Sequence, residues 1–276
     1  FGIMMAYNAI ICLILAMGPF DIKHRIALVI SAVVMILGMA YAGSRTPIVM
    51  IPLGISFFTL LSFNKRIMAG ALIVFVIGSA FMLKSTSNPV IWRIQSAFNL
   101  KASADTMNVR MKNQKFIQPF IHSHPFGAGI GSSGEWGARF NPDSMLAGFA
   151  HDSAFVRVAV ELGWIGLIIY MLMLFVIIKT GIYYSLRVRN QKIKYMYMAI
   201  TTAIFMLIFA SYPQEVISQL PNSIIFYILV AILVKLKDFD DPIEMLNEEK
   251  PTFRYPNNFK KKKKKNKPID YWLNKE

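Results

Sequence analysis

Long apolar runs, each closed by a short charged or Gly/Pro-containing turn, dominate this sequence. They cover 1–20, 26–42, 48–63, 67–83, 155–178, 195–210 and the core of a last run at 222–234. Inside a hydrocarbon layer no water satisfies a backbone N–H or C=O, so each run must fold as a helix. A helix of about 20 residues crosses a core of roughly 30 Å. The sequence therefore predicts an all-α polytopic membrane protein with about seven transmembrane helices and a large outer loop carrying short helices. Composition agrees, with 55% hydrophobic and 16% charged residues, where a soluble domain carries about 25% charged.

The runs divide the chain into four regions. Residues 1–83 hold four spans and 84–153 form the large loop. Residues 154–234 hold three more spans around a basic connection, and 235–276 form a Lys-rich tail expected to be disordered. The chain opens on Phe1 in mid-run, so a true N-terminus is expected upstream. The single cysteine, Cys12, cannot form an internal disulfide.

Orientation follows from the connections. Lys23/Arg25, Lys65/Arg66, the 179–194 stretch and the tail are basic and fall on one side of an alternating topology, whereas 211–221 has no Lys or Arg. The positive-inside rule makes the basic side cytoplasmic and turns the large loop outward. The formal charge of +15 includes six consecutive lysines, Lys260 to Lys265. These charges flank apolar runs or sit in the tail, so membrane lipids rather than nucleic acid are their expected partner. The loop carries seven basic residues against three acidic ones between 84 and 150. That excess on the outer side points to an anionic ligand.

Candidate residues gather at this outer face. Arg45, in Ser44-Arg45-Thr46-Pro47, can snorkel to the interface or fork onto a phosphate. Arg110, in a short amphipathic helix around 107–112, and Arg93, in Ile91-Trp92-Arg93-Ile94, offer the same choice. Ser123-His124-Pro125-Phe126-Gly127-Ala128-Gly129-Ile130-Gly131 is either a phosphate-cradling loop or a tight turn returning the chain to the membrane. The tight turn is favoured, because no strand precedes it and no Lys-Ser/Thr follows. His122, His124 and His151 lack companions at metal-site spacing, so no metal is expected. His151-Asp152-Ser153 precedes the fifth span, where Asp152 or Ser153 can cap the helix. Arg157 and Glu161 are spaced to pair at i,i+4, and Gly163 and Gly166 to allow close helix packing. His151 and Asp152 remain as a base for an acceptor hydroxyl.

Taken in order, these pieces resemble the O-antigen ligase/polymerase superfamily of bacterial envelope proteins. The order is a span ending in Ser44-Arg45, an arginine in a large outer loop, and His124-Pro125-x-Gly127-x-Gly129. His151/Asp152-Ser153 follows, then Glu161-Leu162-Gly163-x-x-Gly166 opening the next span. The resemblance covers roughly 26–178. Family members have more spans than this chain, which looks like their C-terminal part.

The resemblance implies an inverting, metal-independent and cofactor-free glycosyltransferase. Its donor is an undecaprenyl pyrophosphate-linked glycan, and its acceptor the hydroxyl of lipid A–core or of a growing glycan. Arg45 and Arg110 match the family arginines thought to hold the pyrophosphate. His151 matches the loop histidine that acts as base or positions the acceptor. Counting back from Glu161-Leu162-Gly163 puts Asp152 at that position instead, and some polymerase-type relatives carry Asp there. Both residues are therefore candidates.

The leading expectation is an O-antigen ligase. A polysaccharide polymerase or a protein O-oligosaccharyltransferase of the same superfamily comes next, and a transporter or a structural scaffold represents other classes. Transporters place ionisable groups at mid-span. Here the polar residues gather at one surface, which favours chemistry on a membrane-embedded lipid.

Overall fold

A computed structural model describes residues 1–83, 95 and 100–240, and they are mostly helical. Four helices open the chain: α1 (Gly2–Ala16), α2 (Ile22–Tyr41), α3 (Arg45–Ser62) and α4 (Lys65–Leu83). The loop region supplies α5 (Leu100–Ser123) and the short α6 (Gly134–Phe140). Then come α7 (Ala154–Arg187), α8 (Gln191–Ala210) and α9 (Asn222–Lys235), with a 3-10 turn at Leu236–Phe239. Arg93 and the Lys-rich stretch of the tail lie outside the described residues.

By length and composition, four described helices can cross a membrane: α2, α3, α7 and α8. The helices α1 and α9 are apolar but only 15 and 14 residues long, and α4 has 19. The membrane fold stands as expected, while the number of spans is not fixed at seven.

The central helix is α8. Two-thirds of its apolar window is buried (67%), against 11% for α2 and for α7. Lipid tails are as apolar as leucine, so helices gain little by burying apolar area against one another; close packing of small residues does more. Gly54 of α3 leaves space filled by Met206 of α8, and Gly181 of α7 leaves space filled by Thr201. Phe57 and Phe205 stack across the α3–α8 contact at 4.0 Å. The helices α1 and α2 run antiparallel. Gly2 lies against Ala42 and Pro47 at one end, and Arg25 donates from Nε to the Ala16 carbonyl at the other, at 2.8 Å.

The loop region is more regular than its sequence suggested. The expected short helix around 107–112 is part of the 24-residue α5. Between Leu100 and Gln118 there is neither Gly nor Pro to interrupt it. A small apolar cluster of Ile117, Leu146 and Val160, joined by Phe120, Phe149 and Val156, fixes α5 and the returning chain against the start of α7.

Candidate functional site

The start of α7 is built by a break in the helix. Gly163 adopts φ 70, a left-handed conformation, and divides α7 into a short first segment and a long apolar one. The break frees carbonyls that would otherwise bond within the helix. Val160 and Glu161 accept from the N–H groups of Ala128 and Gly129 at 3.0 and 2.9 Å, and the Ile165 N–H donates to Pro125 at 3.4 Å. The glycine-rich motif thus docks on the helix break. A side chain at Gly127 would strike the Glu161 backbone, and one at Gly163 would strike the Pro125 carbonyl. With the Ala128 and Gly129 amides bonded to α7, the motif acts as the expected tight turn and not as a phosphate cradle. Gly163, read in sequence as a packing position, is the break that receives it.

This interlock aims the polar residues of the first segment. Ser153 caps it, its Oγ accepting from the Phe155 N–H at 3.3 Å, while Ala154 N–H donates to the Ser211 carbonyl at 3.0 Å and ties α7 to the end of α8. Arg157 pairs with Glu161 at 3.3 Å, as its spacing predicts, and also with Glu215 at 3.1 Å. Ser133 Oγ donates to Glu161 at 3.2 Å. The Nδ1 of His151 faces Glu215 Oε1 at 3.3 Å, with the two side chains only 5% and 11% exposed. Phe149 stands edge-on to the imidazole at 5.4 Å. Gly134 leaves it room: a Cβ there would lie 3.2 Å from His151 Cε1.

A carboxylate only accepts, so a neutral His151 keeps its proton on Nδ1 and presents a bare Nε2. That Nε2 is buried and has no hydrogen-bond partner among the described residues. Burial alone would push the Glu215 carboxyl up; the His151 hydrogen bond and the Arg157 charge outweigh it and hold the group below the ordinary carboxylate range. His151, Arg157 and Glu215 line a polar cavity of about 520 Å³ together with Trp136, Ser218 and Gln219. Its carboxylates and its already paired arginine make it suited to hydroxyl-rich groups rather than to a polyanion.

The predicted residues fall in different places. His151 lines the cavity. Asp152 does not; its Oδ2 accepts from Asn113 of α5 at 3.0 Å. Arg110 donates to the Pro213 carbonyl at 3.1 Å, bracing the 211–221 connection that carries Glu215. Arg45 is the exposed first residue of α3, directly after Ser44, and is not among the cavity's lining residues. Sequence reasoning missed Glu215. It is the single charged residue between 211 and 221, and a lone acid in a short outer connection between two spans was the available signal.

The O-antigen ligase family model matches residues 30–171, half of the chain. The chain belongs to the O-antigen ligase family. No curated protein and no solved structure matches it. Membership makes it a glycosyltransferase-like membrane enzyme of the ligase or polymerase type, acting on a lipid-linked glycan and a glycan acceptor. The family match includes Arg45, Arg110, His151 and the interlocked glycines, and ends before Glu215.

Proposed function

We propose that this protein is an O-antigen ligase, transferring a glycan from undecaprenyl pyrophosphate to a hydroxyl of lipid A–core at the periplasmic face of the inner membrane. The observation that carries the reading is the His151–Glu215 contact beside a polar cavity, next to the loop-and-helix interlock that falls within the family match. Nε2 of His151 removes the acceptor proton. The acceptor oxygen attacks the anomeric carbon from the side opposite the pyrophosphate, so the configuration inverts. The glycosidic C–O bond to the carrier breaks, and undecaprenyl pyrophosphate leaves with the electron pair. Glu215 keeps the proton on Nδ1 and stabilises the imidazolium that forms.

Pyrophosphate is a good leaving group, so the remaining work is to meet its growing charge. Arg45 and Arg110 serve that role in this reading, with Arg93 a third candidate, and no metal is required. Arg110 uses one N–H on Pro213, and a guanidinium has five donors, so it can brace the 211–221 connection and meet a phosphate together.

The test uses a strain deleted for the gene and complemented by the full-length gene carrying wild-type or His151→Ala. Accumulated long lipid-linked chains over bare lipid A–core support the ligase. Accumulated single repeat units would reassign the protein as a polymerase, and unchanged glycans at normal expression would contradict the transferase reading.

A further inference from the structure

Where the α1–α2 turn meets the α3–α4 turn, two apolar grooves open to either side of one arginine. The larger, about 590 Å³, runs between α1, α2, α3 and α4 and is walled by residues such as Leu13, Val29, Phe58 and Ile67. The smaller, about 300 Å³, lies along α2 beside Ile26 and Ile30. Ala16, Arg25 and Val29 line both. Arg25 is fixed at this junction by the bond from its Nε to the Ala16 carbonyl at 2.8 Å, which leaves its two terminal nitrogens for another acceptor. Arg66, at the start of α4, lines the larger groove as well. Among the described residues neither groove is lined by a carboxylate. Asp21, the acid of the α1–α2 turn, faces His24 at 3.6 Å on the exposed side of the helix start.

We infer that this is a binding site for a diacyl anionic phospholipid of the leaflet on the Arg25/Arg66 side. The chemistry of the two parts fits one molecule. A phosphodiester accepts from a guanidinium fork, and basic pockets between membrane helices hold anionic headgroups. Apart from the two arginines and Thr59, whose hydroxyl donates to the Ile55 carbonyl, the groove walls are apolar, and such surfaces take hydrocarbon. Two grooves that share Arg25 accommodate two acyl chains of a lipid whose phosphate sits on that arginine. A zwitterionic lipid would bring a cation to a pair of guanidinium groups with no acid to receive it. This site lies at the end of α1 and α2 away from Gly2 and Ala42, and it does not depend on the transfer reaction.

The experiment is native mass spectrometry and thermal unfolding of the full-length protein, delipidated in a non-ionic detergent and titrated with phosphatidylglycerol, phosphatidylcholine or inorganic phosphate. Phosphatidylglycerol should add as a discrete adduct and raise the melting temperature, while phosphatidylcholine and phosphate should not. Arg25→Gln/Arg66→Gln should weaken phosphatidylglycerol binding at least tenfold, with the lipid-free melting temperature lowered only slightly by loss of the Arg25–Ala16 bond. Val29→Trp, which fills the shared wall from an exposed position, should weaken it with both arginines present. Equal binding of the two lipids, or undiminished binding by the arginine pair variant, would overturn the site. Stabilisation by phosphate alone would overturn the acyl grooves, as would undiminished binding by Val29→Trp. No adduct on the wild type would overturn the site.

Discussion

His151 and Glu215 meet at 3.3 Å, although α7 and α8 separate them in sequence. The Ala154 amide bonds to the Ser211 carbonyl, which brings the end of α8 to the start of α7, and Arg110 braces the connection at Pro213. Arg157 then clamps the same carboxylate from the next turn of α7, at 3.1 Å.

Glu215→Gln keeps the shape of this contact and removes its charge. The amide no longer dictates which imidazole nitrogen carries the proton, and it releases Arg157. Transfer should fall by about 10²-fold, within the range of about 10²–10⁴ that proton transfer by a positioned group contributes. Initial rates of purified variants measure it, with detergent melting to confirm folding.

The pH dependence has a definite sign. Glu215 is held below the ordinary carboxylate range by His151 and Arg157 against the cost of its burial. A depressed native value means that the unfolded chain takes up the proton first as pH falls. Its stabilisation is therefore complete above the ordinary Glu value of about 4.3 and is lost as pH drops through the lower native value. The melting difference between wild type and Glu215→Gln should close as pH falls below about 4.3.

Three glycines should respond unequally to alanine. Gly127 and Gly163 combine positive φ values of 71 and 70 with backbone from the facing motif where a Cβ would go. Either substitution should cost more than about 2 kcal/mol and undock the loop, since strain and overlap add. Gly129 has φ 97 but open space around it, so Gly129→Ala should cost only about 1–2 kcal/mol. Melting temperatures and limited proteolysis at the loop would rank them.

Asp152→Asn should retain most activity. The Asp152 carboxyl oxygen accepts from Asn113, and an asparagine oxygen can accept in its place. Asp152→Ala should lose about 1 kcal/mol of stability, a typical net hydrogen bond, with transfer still measurable. An Asp152→Asn variant as inactive as His151→Ala would move the base to Asp152.

The membrane fold was legible because hydrocarbon admits so few backbone solutions that run length and charged turns suffice to expose it. The Arg157–Glu161 pair and the Ser153 cap were legible for a similar reason, since each depends on spacing within one helix. The role of Gly163 was not, because the same Gly-x-x-Gly pattern suits close helix packing and helix breaking alike. Only the approach of Pro125 from a distant segment decides between them. Glu215 was hidden for a plainer reason: nothing in 211–221 reveals its partner until α7 and α8 are packed together. That Asp152 accepts from Asn113 while His151 lines the cavity likewise needed α5 to be in place.

The most direct test of the account is the transfer rate of purified full-length His151→Ala, with an undecaprenyl pyrophosphate-linked glycan as donor and lipid A–core as acceptor, at saturating substrates. The account predicts a fall of about 10²–10⁴-fold in rate, with the protein still folded and the donor still bound. A folded His151→Ala protein that transfers glycan within a few-fold of the wild-type rate would contradict it.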